Sequence, residues 1–529
     1  MPAALSYPGV YVEEIPSGVR TITGVATSIA AFVGRTARGP TDVPVVITSW
    51  DDFVRTFGGL DLAYPLGFAV RDFYLNGGVQ AVIARAFMPD GAIERAALEF
   101  KGFAVEAAAP GEWGNKLRIR VTKAATPDDL KDLATQLGPT IKTSDFFNLD
   151  IHDGATGATE SFINLTAVPS ARNVTGVLQN ESTLVRAKGS PSAPTDVHAP
   201  VDPTKDTWED LPANDRSTGV ADAAKAKEAK NLGDGDYGDE AKGTGLFLLS
   251  QADLFNLLCI PPDKLGASIP VALLAIAAKY CATHRALFIV DSPHDWTSVD
   301  KVKLDGLKIA GPDARNAALY FPRVMQPNPL HGGQPETFAP CGAIAGVIAR
   351  TDVTRGVWKA PAGIDASLTG VLGLSVPLND NQNGLLNPLG VNCLRSFPII
   401  GNIVWGARTL RGADILGDEY KYVPVRRTAL FIEESLFRGL KWVVFEPNDE
   451  PLWGQIRLNV GAFMQGLFRQ GAFQGTSARD AYFVKCDKDT TTQNDINLGI
   501  VNVVVGFAPL KPAEFVVLKI QQMAGQIQT

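Results

Sequence analysis

The chain has 529 residues, 45% hydrophobic and 20% charged, a balance ordinary for a folded, soluble protein with room for several cores. Its net charge of -7 is spread along the chain and forms no basic stripe, which argues against nucleic acid as a partner. The longest apolar run, Ile269 to Ala278, is about half of what a bilayer crossing needs, so no membrane insertion is expected. MPAALSYPGV lacks the basic and apolar regions of a secretory signal, so residence in a cytoplasm until lysis is expected. Five cysteines, Cys259, Cys281, Cys341, Cys393 and Cys486, are far apart and odd in number; they read as reduced core thiols rather than disulfides or a zinc site.

The chain opens on an extended apolar segment, Tyr7 to Ile15, flanked by Pro8 and Pro16, which suits an edge strand with no helix around it. Then strand and helix alternate. Ala30 to Gly34 and Val45 to Thr48 are strand-like, Trp50 to Phe57 is helical with Ser49 or Asp51 as cap, Pro65 to Leu75 is a second helix, and Gln80 to Ala86 is a strand. That alternation implies a parallel or mixed sheet with covering helices. From about 101 to 190 the pattern shortens to Lys116 to Val121, Phe146 to Ile151 and Glu160 to Leu165, a small β-rich domain. Residues 190–245 are poor in large apolar side chains and read as a loosely packed, solvent-facing excursion. The α/β pattern resumes at Leu246 with a helix over Val271 to Thr283 and a strand over Ala286 to Val290, so the interruption reads as an insertion into one α/β domain.

Between Asn387 and Asn448 the spacing predicts a strand at Tyr420 to Val425, a helix at Arg426 to Leu440 and a short apolar strand at Lys441 to Phe445. A further helix starts near Asn448 to Pro451 and carries Leu452, Ile456, Val460, Phe463 and Leu467 on one face, with Gly471 as its stop. Strands at Ala481 to Cys486 and Ile500 to Phe507 lead to EFVVLKI at Glu514 to Ile520, which is apolar on both faces and needs neighbours. Two sticky termini either pair within one subunit or exchange between subunits by strand addition.

Several ordered phrases resemble tail sheath proteins of contractile phage tails and contractile injection systems. They are WGARTL at Trp405 to Leu410, VRRTALFIEES at Val425 to Ser435, WVVFEPN at Trp442 to Asn448, LNPLGVN at Leu386 to Asn392, AYFVKCD at Ala481 to Asp487 and APLKPAEFVV at Ala508 to Val517. GVIARTDVTRGVWKAPA at Gly346 to Ala362 and the N-terminal YPGVYVEEIPSGVRTITGVATSIAAFVG extend the likeness over most of the chain. The resemblance implies a multidomain α+β protein, its α/β core formed by N- and C-terminal parts, with an inserted β-rich outer domain and extended terminal arms. The boundaries read as an arm at 1–24, the α/β core at 25–100 and 246–400, the outer domain with its flexible loop at 101–245, a C-terminal sheath domain at 401–510 and an arm strand at 511–529. It further implies stacked hexameric rings around an inner tube, contraction that drives the tube through a target envelope, and the inner tube, baseplate and tail-terminator proteins as partners. Arms then weave neighbouring subunits together, with Tyr7, Val10, Tyr11, Val12 and Ile15 at one end and Phe515, Val516, Val517, Leu518 and Ile520 at the other as contact residues.

Arg426 and Arg427, near Arg408 and Arg411, are candidates for a charged interface with a neighbouring subunit or the tube, since the guanidinium fork suits carboxylates. Glu433, Glu434 or Asp418 offer internal partners instead, and that reading is favoured. Asp291, Ser292 and His294 follow a central strand, where α/β enzymes place catalytic groups, yet no nucleophile elbow accompanies them and a polar loop is the plainer reading. Asp234, Asp236, Asp239 and Glu240 offer oxygen ligands for calcium without full EF-hand spacing, and a solvated acidic loop is preferred. No phosphate-binding loop is present, so no cofactor or metal is expected, and no enzymatic activity. The other classes weighed are a capsid or surface-layer subunit, which would share the sticky termini, and an α/β hydrolase.

Overall fold

The computed structural model describes residues 20–89, 95–124, 127–197, 208, 232 and 236–520, with 127–129 as backbone only. Two compact units divide the chain: the larger holds Ser28–Arg350 and Pro361–Asp418, the smaller takes the residues up to Thr27, Thr351–Ala360 and Glu419 onward.

In the larger unit, β1 (Ala30–Gly34) is buried along its whole length, as a strand without polar side chains requires. Next come β2 (Val45–Ile47), α1 (Trp50–Phe57), α2 (Leu66–Leu75) and β3 (Ala81–Arg85). Ser49 caps α1, its hydroxyl accepting from the Asp52 amide at 3.1 Å. Residues 97–187 then build two antiparallel three-stranded sheets. One pairs β4 (Ala97–Phe100), β5 (Phe103–Ala107) and β9 (Val185–Ala187); the other pairs β6 (Leu117–Lys123), β7 (Phe146–Asp153) and β8 (Thr159–Thr166). Helices α3 (Pro127–Leu137) and α4 (Val174–Glu181) accompany them. Alternate inward residues, among them Leu98, Val105, Ile119, Leu149 and Ile151, give these sheets a core of their own. A buried ion pair, Arg38 Nη1 to Asp153 Oδ2 at 3.0 Å, ties the loop after β1 to the end of β7.

The chain returns as β10 (Leu257–Cys259), α5 (Val271–Thr283), β11 (Leu287–Asp291) and β12 (Ala317–Phe321), each strand parallel to the one before. β10 pairs with β1, so the large sheet is made from chain on both sides of the small sheets. A side sheet of β13 (Val324–Asn328), β14 (Gln334–Phe338) and β15 (Gly373–Leu374) flanks α6 (Cys341–Arg355) in sequence; α7 (Asp380–Leu386), β16 (Val391–Phe397) and β17 (Gly401–Val404) follow. The eight-stranded order is β17-β16-β12-β11-β10-β1-β3-β2, parallel in its middle and antiparallel at both edges. This is a mixed α/β protein with several sheets. All five cysteines are buried and free, and burial pushes the thiols of Cys393 and Cys486 up to about 12 and about 11.

The smaller unit contains α8 (Val423–Gly439), α9 (Glu450–Arg469), α10 (Ala478–Ala481), β18 (Tyr482–Lys485), α11 (Gln493–Asn497) and β19 (Val504–Phe507). Two predicted strands are absent. Tyr420 to Val425 instead leads into and forms the first turn of α8, where Pro424 is favoured because the missing amide proton has no helical acceptor there. Lys441 to Phe445 forms a 3-10 turn over Lys441–Val443, and Phe445 sits at φ 71°, outside the strand region. The last strand is shorter than predicted, starting at Val504 rather than Ile500.

Candidate assembly surface

Helix α9 begins at a cap that its sequence supplies: the Asp449 carboxylate accepts from the Leu452 amide at 3.2 Å, with Pro451 in the first turn. Leu452, Ile456, Val460, Phe463, Met464 and Leu467 recur at helical spacing and are all buried. They share one core with Ile432 of α8, Trp358 and Ile22. Residues 20–27 lie tightly on these helices: a Cβ at Gly24 would stand 2.8 Å from the Phe431 ring, and one at Gly439 2.6 Å from Ile22. Polar contacts hold the same segment, with the Val25 amide donating to Ser435 Oγ at 3.2 Å and the Arg20 amide to Asn459 Oδ1 at 3.1 Å.

Arg427 joins three separate stretches of chain. Its guanidinium donates to both Asp352 carboxylate oxygens, at 2.7 and 2.5 Å, and to the Thr27 carbonyl at 2.8 Å. Arg426 on the same helix is only 13% exposed, donating to Glu433 Oε1 at 3.2 Å and stacking over Tyr420 at 4.7 Å. Of the other carboxylates the sequence offered, Glu434 serves Arg438, and Asp418 accepts from Arg315 and Arg411 at 3.0 Å each. Asp352 went unnoticed because it lies 75 residues from Arg427.

Strands β18 and β19 form a hairpin-like antiparallel pair. Tyr482 pairs with Phe507 and Lys485 with Val504, and one face packs on α9. Neither outer edge pairs with a third strand among the described residues, although a two-stranded ribbon is marginal alone and open edges attract strands. After β19 the residues 511–520 form neither helix nor strand, and Phe515, Val516, Val517, Leu518 and Ile520 are 76% to 94% exposed. Tyr7, Val10, Tyr11, Val12 and Ile15 lie outside the described residues.

The enzyme-like candidates are not brought together. Asp291 is buried at the end of β11, where its carboxylate accepts from the Cys341 amide at 2.8 Å at the start of α6, and burial pushes it up to about 6. Ser292 is buried, while His294 is exposed and its backbone amide donates to Ser268 at 2.8 Å; no hydrogen bond joins His294 to Asp291. Asp234 lies outside the described residues, and Asp239 is engaged by Lys242 at 3.1 Å and by the Ala241 amide. Among the described residues no group of three or more His, Cys, Asp or Glu is placed to hold a metal, and no helix is long and apolar enough to cross a membrane.

Comparison with known proteins matches residues 417–523 to the phage tail sheath C-terminal domain and residues 299–410 to the phage tail sheath protein central domain. The tail sheath protein of Vibrio phage KVP40 is 24% identical over 178 residues, 34% of this chain, and that match spans only 25% of the relative's length. Among solved structures, the contracted helical sheath of the anti-feeding prophage is 23% identical over 98% of this chain and 100% of its own, with a TM-score of 0.56. The contracted sheath complex of the extracellular injection system PVC gives 21%, 98% of both chains and 0.57. A sheath tail protein from Listeria innocua gives 13%, 93% of this chain, 96% of its own and 0.54. Residues 299–410 and 417–523 thus match two tail sheath domains, and the fold of the solved sheath proteins extends over nearly the whole chain.

Proposed function

We propose that this chain is the repeating subunit of a contractile sheath, a structural protein with no catalytic role. Copies stack as hexameric rings in a helical array around an inner tube, between a baseplate and a tail terminator, and contraction drives the tube through a target envelope. The observation that carries this reading is the two-stranded β18–β19 sheet, open at both edges among the described residues, in the same unit as an exposed apolar C-terminal segment. Terminal arms of neighbouring copies add to those edges as further strands, main-chain hydrogen bonds supplying affinity and the apolar side chains register. The division into arms, α/β core, inserted outer domain and C-terminal sheath domain follows the boundaries read from the sequence. Of the two arginines proposed for a charged interface, Arg426 is the more exposed, at 13% against 3% for Arg427, and its partner Glu433 is itself 43% exposed.

No nucleotide-binding loop appears in the sequence, so the work of contraction comes from a free-energy difference between two packings of the same subunits. Small gains per subunit add up over a polymer. Assembly takes place in a bacterial cytoplasm, and the particle leaves by lysis. Negative-stain microscopy of the purified chain with its tube protein tests the reading: hollow striated tubes of two widths are expected, and monomers that stay unassembled in the presence of the tube protein would overturn it.

A further inference from the structure

Six described residues other than glycine adopt a left-handed backbone: Lys101, Asn164, Arg285, Lys308, Ile399 and Phe445. Four of them carry polar side chains. Ile399 at φ 73° and Phe445 at φ 71° are of another kind, since bulky apolar residues are rare in this region and strained there. Both are also fully exposed, and so in part are their neighbours: Ile400 at the turn between β16 and β17, and Val444 and Phe437 around the end of α8. Backbone strain and hydrated apolar surface thus act against the lone chain at the same two positions. Glycine would relieve both, and among the described residues no contact accounts for these side chains.

Phe445 lies three residues before Asn448, whose side-chain amide donates to the Ile500 carbonyl at 2.9 Å and so ties this turn to the segment that enters β19. That makes it continuous with the surface assigned above to assembly. Ile399 belongs to the other unit. A helical stack of rings needs unlike, head-to-tail contacts both around the ring and along the axis, and exposed aromatic and aliphatic anchors are the groups that carry such contacts.

We propose that Ile399 and Phe445 are presented anchors, each seated in an apolar recess of a second copy of this chain. The proposal rests on the sheath reading. Its test uses the full chain with Ile399→Gly, Ile399→Asn, Phe445→Gly, Phe445→Asn and Phe445→Leu, comparing the thermal midpoint of the unassembled protein with the critical concentration for tube formation. Glycine should leave the midpoint unchanged or raise it while lifting the critical concentration at least tenfold. Asparagine, which tolerates the left-handed backbone, should share the assembly defect, and Phe445→Leu should assemble within about threefold of wild type. Glycine variants that polymerise at the wild-type concentration overturn the proposal alone, as does a defect seen with glycine but not asparagine, which would mean loop stiffness. Variants that form normal tubes alone but fail to grip the inner tube also overturn it, because the tube is then the occupant. Wild-type chain that forms no tubes defeats the sheath reading and this proposal with it.

Discussion

Arg427 and Asp352 form a bidentate ion pair in which each side chain is only 3% exposed, and the same guanidinium also holds the Thr27 carbonyl. Removing one partner leaves a buried charge without its counter-charge, which typically costs about 3–5 kcal/mol, whereas replacing both with apolar residues costs far less. Arg427→Ala and Asp352→Ala should therefore each expose the α8 amides to hydrogen exchange, and Arg427→Met with Asp352→Leu should recover most of the protection. Arg427→Lys, which keeps the charge but not the fork, should fall between. Equal protection in all four variants would mean that the pair does not hold these segments together.

A second buried carboxylate gives a pH dependence of known sign. Asp72 of α2 accepts from Gln326 Nε2 at 2.7 Å and has Arg71 at 3.5 Å, yet burial outweighs both and pushes it up to about 6. Between about pH 4 and pH 6 the folded chain holds a proton that the unfolded chain has released, so this group's contribution is present at low pH and is lost as pH rises through 6. Asp72→Asn keeps an acceptor for Gln326 and removes the charge. It should raise stability at pH 8 by roughly 1–3 kcal/mol and change it little at pH 4.5. Denaturant unfolding of both proteins at the two pH values checks this; a difference that does not vary with pH would sink it.

The exposed C-terminal segment allows a test that separates folding from assembly. Phe515 and Val517 are each 76% exposed, so Phe515→Asp with Val517→Asp removes no buried contact from the isolated chain. The thermal midpoint of the unassembled protein should stay within about a degree, while sedimentation should show no polymer, because a carboxylate on an added strand would be desolvated between neighbours. Polymer of normal length from this variant would show that the segment takes no part in strand exchange. Deleting residues 1–19 should likewise leave no polymer in sedimentation.

Local signals made part of this architecture legible and long-range ones did not. The bounds of α1 and α5 follow from a serine cap and an apolar run, both readable within a dozen residues. Tyr420 to Val425 misled because its β-branched and aromatic residues suit a strand and a buried helix start alike, and only the packing of Val423 and Val425 decides between them. Lys441 to Phe445 reads as a short strand because its residues are apolar, yet Phe445 stands in solvent at φ 71°, which apolar composition alone does not reveal. Asp352 could not be matched to Arg427 from spacing at all, since their meeting depends on how α6 and α8 are laid down.

Two glycines on α6 explain how closely that helix approaches α2. A Cβ on Gly342 would stand 1.9 Å from the Ala69 carbonyl oxygen, and one on Gly346 2.5 Å from the Phe73 carbonyl oxygen. These obstacles are backbone atoms of a buried helix, so no rotamer change can relieve them, and the helices must separate. The single methyl of Gly342→Ala should then cost about 3 kcal/mol or more, although alanine is the better helix former by about 1 kcal/mol. Gly306→Ala, where the added Cβ meets nothing within 4 Å, is the control and should change stability by less than about 0.5 kcal/mol. Thermal unfolding of the two variants side by side measures the contrast. A Gly342→Ala protein as stable as the control would mean that α2 and α6 are not held at this distance by their packing.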